Sequence, residues 1–171
     1  MSRELIIQAA KSVAEVKHKG QLYGQKYPYT KHLKDVSDVL TRFGVNDPEM
    51  HAAAWLHDTV EDTDLTLEQV KMLFGDRVTD LVYRVTNEIG KNRKERHEKT
   101  YIKTRQSSDA VQLKLADRIA NVEQSVSDSQ KDMLKMYKKE HVDFKRLLYA
   151  KGVHEPMWRH LNFLIGDTSG E

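Results

Sequence analysis

The segment WLHDTVEDTD, residues 55–64, concentrates side chains that bind cations or transfer protons: His57, Asp58, Glu61 and Asp62. On a helix with about 100° between residues, these four side chains project into one arc. Carboxylates crowded on one arc repel each other, and acids near the end of a helix oppose its dipole. A solvated helix end is the ordinary explanation for such a segment. Because a histidine beside an aspartate offers nitrogen and oxygen donors, the segment also suggests a divalent metal site.

An acid and a histidine in distant segments extend this pattern. In LKLADRIANV, residues 113–122, Asp117 and Asn121 share one side of a largely apolar predicted helix. A buried acid is costly unless it is paired or binds a metal. A salt bridge from Asp117 to Arg118 or another basic residue is therefore the alternative to a metal-ligand role. His32 follows the aromatic loop YPYT near the start of another predicted helix, where a lone histidine is more often structural than a ligand.

Composition narrows the classes of protein and partner. The 171 residues include 32% charged and 39% hydrophobic side chains with a net charge of +2, which predicts one ordered globular domain and no nucleic-acid partner. The absence of cysteine excludes disulfides, thiolate nucleophiles and cysteine-bound zinc. We find no signal peptide and no apolar run that could cross a membrane, so we predict a cytoplasmic protein without membrane association. No protein partner can be inferred.

Apolar residues recur at helical spacing in nearly every segment, and strand-like alternation of useful length is absent. Asp47-Pro48 predicts an N-cap followed by proline in the first turn, opening a helix that carries the acidic segment near its end. The other predicted helices cover residues 3–19, 31–43, 66–74, 77–86, 93–105, 109–123, 130–149 and 156–165. We predict a single all-α domain over residues 1–166, a helical bundle with a metal site between its central helices, followed by a disordered tail at 167–171.

Taken together and in this order, the motifs resemble a known family. His32, His57-Asp58 and Asp117 match the H…HD…D pattern of the HD superfamily of metal-dependent phosphohydrolases. More closely, the chain resembles the hydrolase domain of RelA/SpoT proteins, in particular the small alarmone hydrolases of the metazoan SpoT homologue type. The segments that carry this resemblance are HKGQ…YPYTKH, AAAWLHDTVEDTDLTLEQVKMLFG, LVYRVTNE and LKLADRIANV. It runs from about residue 6 to residue 164 and includes no synthetase region, which implies a hydrolase-only protein.

The resemblance implies a helical HD-type domain with one divalent ion, usually Mn²⁺, with Zn²⁺, Fe²⁺ or Co²⁺ as alternatives. The implied ligands of the ion are His32, His57, Asp58 and Asp117. Two nitrogens and two carboxylate oxygens leave coordination positions open for water and a phosphate oxygen. Glu61 and Asp62 match the family's catalytic acidic pair, which deprotonates the attacking water or manages protons at the leaving oxygen. The sequence does not decide which acid has which role.

The resemblance also implies the substrate. Family members hydrolyse the 3′-pyrophosphate of guanosine tetra- or pentaphosphate, (p)ppGpp, to GDP or GTP and pyrophosphate. A metal-activated water attacks the phosphorus attached to the 3′ oxygen. Asn121 matches a residue that contacts the sugar and phosphate of the nucleotide. We therefore expect a small nucleotide as the partner molecule.

The loop before His32 departs from the family pattern. An Arg-Lys pair, which in relatives stacks on guanine and faces phosphate, is replaced by Tyr23 and Gly24. Tyr23 could stack on a purine, or could simply pack the loop with its neighbouring tyrosines, and it supplies no positive charge. Lys26 is the nearest replacement cation. The departure therefore bears on the base and phosphates of the substrate more than on the metal chemistry.

Other functions remain open on the sequence alone. The same metal centre could act on another nucleotide, such as the adenine alarmone ppApp or the 2′-phosphate of NADPH. The fold could instead serve as a non-catalytic nucleotide-binding regulatory module, although all four ligand positions and both acids are present. The charged segment 90–105 is mostly a solvated helix, but its Arg93, Lys94 and Arg96 could flank a polyphosphate. Interrupting acids make it a weak nucleic-acid patch.

Overall fold

Helices dominate the computed structural model, which describes residues 2–169. They are α1 (Arg3–Lys17), α2 (Tyr29–Arg42), α3 (Pro48–Leu56), α4 (Thr59–Asp62), α5 (Leu67–Val85), α6 (Arg93–Thr104), α7 (Ser108–Ser127), α8 (Lys131–Leu148) and α9 (Glu155–Ile165). Within the described range the strands are limited to β1 (Leu22–Tyr23) and β2 (Tyr27–Pro28). The all-α prediction is confirmed. None of the helices in residues 2–169 has the length and apolar character needed to cross a bilayer.

The predicted signals at two helix starts are present. The Asp47 side chain accepts a hydrogen bond from the Glu49 amide at 3.0 Å, and Pro48 opens α3. Thr66 and Gln69 form the reciprocal pair of a capping box, with bonds of 3.2 and 3.0 Å. Both caps satisfy backbone groups that the first turn of a helix leaves without partners.

Predicted helix ends differ from the observed ones by a few residues. α1 ends at Lys17 rather than at residue 19, and α2 begins at Tyr29 rather than at residue 31. The two helices predicted at 66–74 and 77–86 are joined as α5, and Gly75 marks the joint with φ 86° and ψ 179°. α7 runs on to Ser127 rather than ending at residue 123. Differences of this size are usual, because terminal turns are stabilised by few local contacts.

The prediction that one helix carries the acidic segment is wrong. α3 ends at Leu56, and a separate short α4 begins at Thr59. Between them, His57 Nδ1 donates to the Ala54 carbonyl at 2.7 Å. That carbonyl is the acceptor that the Asp58 amide would use if α3 continued, so the side chain competes with the helix. The charged side chains of this segment therefore do not share one helical arc.

Two helices form the centre of the core. Every residue of α3 from Met50 to Leu56 is buried, and so is most of the inner face of α7. α3 packs against α1, α2 and α5, and α7 packs against α2, α5, α8 and α9. Burial of apolar surface stabilises this arrangement by about 25 cal/mol per Å². Because α3 and α7 are each enclosed on several sides, the side chains on their facing surfaces have fixed positions.

A β-hairpin connects α1 to α2 and lies beside α7. Tyr23 pairs with Tyr27, and the turn residues Gly24 and Gln25 both have positive φ, 61° and 62°. That combination is characteristic of the type I′ turn, whose twist suits hairpins. The Tyr27 hydroxyl donates to Asp128, at the end of α7, at 2.9 Å. This bond attaches the hairpin to the helix that carries Asp117.

The predicted tail at 167–171 is described only in part. Residues 170 and 171 lie outside the described residues. Asp167 accepts hydrogen bonds from Lys145 Nζ at 3.0 Å and from the Ser169 amide at 2.9 Å. Disorder of the tail stays a prediction.

Candidate metal centre

Four side chains from three parts of the chain converge on one point. They are His32 from α2, His57 and Asp58 from the junction of α3 and α4, and Asp117 from α7. One ligand atom of each lies within 4.8 Å of the corresponding atom of all the others. His32 Nε2 is 2.9 Å from Asp117 Oδ1, and His57 Nε2 is 3.0 Å from Asp58 Oδ2. Ligands that each lie about 2 Å from a shared ion have separations of this kind.

The direction of the two ring nitrogens of His57 shows that these residues fit a metal ion. The Ala54 carbonyl can only accept, so His57 Nδ1 carries a hydrogen, and Nε2 presents a lone pair when the ring is neutral. Nε2 is buried and finds no hydrogen-bond partner among residues 2–169. It faces Asp58 Oδ2 at 3.0 Å and Asp117 Oδ1 at 3.3 Å. A lone pair facing two carboxylates is repelled unless a cation lies between them, and two nitrogen and two oxygen donors suit a divalent ion.

Charges within the cluster keep both carboxylates ionised. Burial alone would raise the pKa of Asp58, but His57 outweighs it and the pKa falls to about 2. Burial also acts to raise the pKa of Asp117, but Lys114 and His57 hold it well below its usual value. Burial lowers the pKa of His57, yet the two carboxylates bring it above its usual value. The carboxylates therefore require a positive charge between them, which a proton or a metal ion can supply.

Tyr29 supports the cluster from the start of α2. Its hydroxyl donates to Asp58 Oδ2 at 2.7 Å, and its ring stacks on His18 with centroids 4.9 Å apart. His18 is buried, and its Nε2 lies 3.1 Å from Thr59 Oγ1 at the start of α4. No motif in the sequence assigns a role to Tyr29. Its position three residues before His32, on the same helical face, is the one signal that would have singled it out.

A buried lysine, rather than an arginine, pairs with Asp117. Lys114 Nζ donates to Asp117 Oδ2 at 3.2 Å, and its side chain is only 11% exposed. The alternative partner considered from sequence, Arg118, instead bonds Glu140 at 2.9 Å and the Tyr101 hydroxyl at 3.0 Å. Residues three apart on a helix are neighbours, so the spacing of Lys114 and Asp117 is the signal for this pair. Lys114 leaves Asp117 Oδ1 directed at the two histidines.

The two predicted catalytic acids lie on α4, directly after the cluster's His-Asp pair. Glu61 accepts two hydrogen bonds from Asn87, through the side-chain Nδ2 at 2.8 Å and the backbone amide at 3.2 Å. Asp62 Oδ2 accepts from Gln21 Nε2 at 3.3 Å. Loss of solvent, followed by the negative charge of Asp58, raises the pKa of Asp62. The two acids thus have different surroundings.

Two of the predicted substrate-binding residues meet at the cluster. The Tyr23 ring stacks on the His32 ring, with centroids 4.8 Å apart and planes 5° from parallel. The Tyr23 hydroxyl donates to Asn121 Oδ1 at 2.6 Å, and Asn121 Nδ2 donates to Asp117 Oδ1 at 3.2 Å. One ring face of Tyr23 therefore packs in the protein while the residue stays half-exposed, and its stacking on a purine stays a prediction.

Lys26 lies apart from this pair. Its Nζ is 3.6 Å from Asp128 Oδ1 and 5.1 Å from the centroid of the Tyr27 ring, at the exposed end of the hairpin. Its contact with phosphate stays a prediction.

A cavity of about 520 Å³ lies at the C-terminal end of α8, and another of about 380 Å³ separates α6 from α8. Arg93, Lys94, His97 and Glu140 line the second cavity. Arg93 is paired with Glu140, and Lys94 supplies further positive charge. Burial, and then the charges of Lys114 and Arg93, lower the pKa of His97 to about 3, so its ring is neutral. Two of the three basic residues considered for a polyphosphate therefore line a cavity.

Comparison with known proteins identifies a family. The model of the HD domain family matches residues 10–144. The chain is 40% identical over 121 residues to a guanosine-3′,5′-bis(diphosphate) 3′-pyrophosphohydrolase of Aquifex aeolicus, a match that covers 68% of this chain and 17% of that protein. It is 37% identical over 122 residues to the pyrophosphohydrolase MESH1 of Xenopus tropicalis, which covers 69% of this chain and 68% of the relative.

A solved structure extends the similarity to nearly the whole chain. It is described as a metazoan ortholog of SpoT that hydrolyzes ppGpp, and it superposes with a TM-score of 0.80 at 27% identity, covering 96% of both chains. Together with the buried His/Asp cluster, these matches show that the chain belongs to the HD domain family and is a metal-dependent phosphohydrolase resembling the MESH1 and SpoT ppGpp hydrolases.

Proposed function

We propose that this chain hydrolyses (p)ppGpp at its 3′-pyrophosphate, giving GDP or GTP and pyrophosphate, with Mn²⁺ as the bound ion. The observation that carries the proposal is the four-residue cluster, in a chain 37% identical over two thirds of a frog enzyme named for this reaction. Zn²⁺, Fe²⁺ and Co²⁺ are the alternatives, because the same nitrogen and oxygen donors suit them.

In the proposed chemistry the cluster binds the metal ion, and the two acids on α4 transfer protons. His32, His57, Asp58 and Asp117 would hold a divalent ion, which would lower the pKa of a bound water molecule and polarise a phosphate oxygen. Glu61 accepts the proton of the attacking water as its oxygen bonds to phosphorus. The bond from phosphorus to the 3′ oxygen breaks, and Asp62 donates a proton to that oxygen. The raised pKa of Asp62 supports its assignment as the acid.

The nucleotide is proposed to bind between the hairpin and α7. Asn121 is bonded to Asp117, so a sugar hydroxyl that contacts Asn121 lies beside the ion. Tyr23 packs one ring face on His32, which leaves the other face for a purine. Lys26 contributes a positive charge to phosphate by exchanging its partner Asp128. Arg93 and Lys94 line a cavity that can receive further phosphates.

The same site supports a second candidate substrate class. Tyr23 stands where relatives have an arginine, and a tyrosine ring stacks on adenine as readily as on guanine. With no base preference imposed by this ring, the adenine alarmone ppApp and the 2′-phosphate of NADPH are the alternative substrates.

A nucleotide panel with metal-defined protein tests the proposal. Purified protein is stripped with a chelator, reloaded with Mn²⁺ and incubated with ppGpp, pppGpp, ppApp and NADPH, and products are separated by ion exchange. We expect release of pyrophosphate from ppGpp and pppGpp only after Mn²⁺ is restored. Turnover of ppApp or NADPH with ppGpp intact would reject the guanine substrate. Mn²⁺ binding without turnover of any nucleotide would favour the regulatory module instead.

Asp58→Ala tests the cluster in the same assay. Loss of one carboxylate ligand should remove bound Mn²⁺ and all detectable turnover, because Asp58 contributes both charge and a ligand atom. Asp38→Ala is the matched control, since Asp38 is an exposed carboxylate on α2 that pairs with Lys34. This control should keep wild-type metal content and rate. Full activity in Asp58→Ala would refute the metal assignment.

A further inference from the structure

Asn87 binds the carboxylate of Glu61 through two donors. Its backbone amide donates to Oε2 at 3.2 Å, and its side-chain Nδ2 donates to Oε1 at 2.8 Å. Glu61 lies on α4, whereas Asn87 follows the end of α5 by two residues, so the contact joins two separate elements. Glu61 is exposed, and among residues 2–169 Asn87 supplies the hydrogen bonds that its carboxylate accepts.

The side-chain amide of Asn87 has one bonded partner in the described part of the chain. Its nitrogen faces a carboxylate, which only accepts, so the contact itself fixes which end of the amide is which. Its Oδ1 is buried and meets no donor within residues 2–169. A side chain whose role was to stabilise the core would have both ends paired, because a buried unpaired acceptor is unfavourable. The amide therefore acts on Glu61 rather than on the core.

The backbone on both sides of Asn87 is held independently of its side chain. The Glu88 amide donates to the buried Thr100 of α6 at 2.9 Å. Lys103 Nζ, also on α6, donates to the Thr86 carbonyl at 2.9 Å. Substituting the Asn87 side chain leaves both attachments in place. The loop is thus a fixed support from which a side chain can orient a neighbour.

We propose that Asn87 is a positioning residue that aims Glu61 at the attacking water. The inference rests on the proposed function, in which Glu61 accepts the proton of that water. An exposed glutamate samples several rotamers, whereas a general base must lie within hydrogen-bond reach of its proton. Two donors on one fixed loop select a single orientation of the carboxylate. Each oxygen keeps a second lone pair for the water.

Two substitutions at Asn87 test this role. Asn87→Ala removes the side-chain donor, and Asn87→Asp places an acceptor against the carboxylate of Glu61. We expect kcat to fall about tenfold in Asn87→Ala and about a hundredfold in Asn87→Asp, with KM within about twofold of wild type. Bound metal should be unchanged in both. Asn46→Ala, at an exposed asparagine between α2 and α3, is the matched control and should retain the wild-type kcat.

A double-mutant cycle distinguishes positioning from a general structural effect. If Asn87 acts through Glu61, Asn87→Ala should lower kcat no further in a Glu61→Gln background. Proportional losses in both backgrounds would overturn the proposal, and so would a wild-type kcat in Asn87→Asp. A loss confined to KM would also overturn it, because orientation of a base acts on the chemical step.

A measurement that needs no turnover separates this inference from the proposed function. The NMR signal of the Asn87 side-chain amide, identified by its loss in Asn87→Ala, should shift in Glu61→Gln and not in Asp62→Asn. A signal that Glu61→Gln leaves unmoved overturns the contact, whatever the wild-type protein hydrolyses. A shifted signal in a protein that leaves (p)ppGpp intact supports the contact and rejects the substrate. The kinetic cycle is then run on the nucleotide that the panel identifies.

Discussion

The hydroxyl of Tyr29 donates to Asp58 Oδ2 at 2.7 Å and so orients one carboxylate of the cluster. Burial, and then the charge of Asp58, raise the pKa of Tyr29, so the hydroxyl stays protonated and remains a donor at working pH. Partners that orient metal ligands are commonly worth about 10- to 100-fold in metal affinity. We therefore expect Tyr29→Phe to weaken Mn²⁺ binding by about that factor, measured by isothermal titration calorimetry.

Tyr149→Phe provides the matched control for Tyr29→Phe. The Tyr149 hydroxyl donates to Glu155 at 2.8 Å, at the start of α9 and away from the cluster. Its loss should leave Mn²⁺ affinity at the wild-type value. Equal affinities for Tyr29→Phe and the wild-type protein would mean that Asp58 is oriented by its surroundings without this hydrogen bond.

At the residue scale, side-chain type and order predict which groups come together but not what orients them. His32 and Asp117 lie 85 positions apart and still meet at 2.9 Å, as the motif order implied. Tyr29 and Lys114 could not be selected in the same way, because tyrosines and lysines are common and their roles depend on side-chain direction. Asn87 likewise lies within the motif LVYRVTNE, which assigns it no role. Its function depends on a contact between α4 and the loop after α5.

Within elements, the kink in α5 makes Gly75 sensitive to a small substitution. Its φ of 86° with ψ of 179° lies in a region that is nearly restricted to glycine, although a Cβ there would meet no atom within 4 Å. The cost of Gly75→Ala is therefore conformational rather than steric. We expect a loss of about 1–3 kcal/mol in the free energy of unfolding, measured by urea titration.

Gly166→Ala is the comparison for this prediction. Gly166 ends α9 in the left-handed helical region, with φ 77° and ψ 28°, where a non-glycine residue costs about 1 kcal/mol. The Gly75 variant should be the less stable of the two. The reverse order would show that α5 relaxes its kink when glycine is removed.

The sequence of each element predicts its helical periodicity and its caps. It does not predict a helix end that depends on a hydrogen bond from a side chain to the backbone. The capping box at Thr66 and the break near Gly75 follow from local residue preferences. The end of α3 does not, because it depends on the His57 ring bonding the Ala54 carbonyl. The hairpin escapes a search for alternation since each strand has two residues. Local signals therefore place most elements and miss the irregular junction that carries two of the clustered side chains.

For the whole molecule, the all-α class follows from pattern, but the site depends on how the helices pack. The cluster joins α2, the α3–α4 junction and α7, which are brought together by the burial of α3 and α7. The spacing of residues within a single element does not predict that these four side chains converge. The family resemblance does predict it, because the order and spacing of the motifs identify a fold in which they converge.

An ion that joins three elements should stabilise the whole fold. A ligand that binds only the native state at 100 times its dissociation constant contributes about 2.7 kcal/mol. For a domain of this size, that corresponds to an increase in Tm of about 5–10 °C. We expect this increase when Mn²⁺ is added to chelator-treated protein, measured by calorimetry. Asp58→Ala should show no increase with Mn²⁺.

The Mn²⁺-dependent increase in Tm should also depend on pH, because Mn²⁺ and protons compete for His57. Burial lowers the pKa of His57, but Asp58 and Asp117 outweigh it and raise the pKa above the usual value, so the metal-free fold binds a proton there as pH falls. Mn²⁺ must displace that proton, and its apparent affinity therefore decreases on acidification. The Mn²⁺-dependent increase in Tm should shrink between about pH 8 and about pH 6. An increase that grows on acidification would mean that the ion binds without His57.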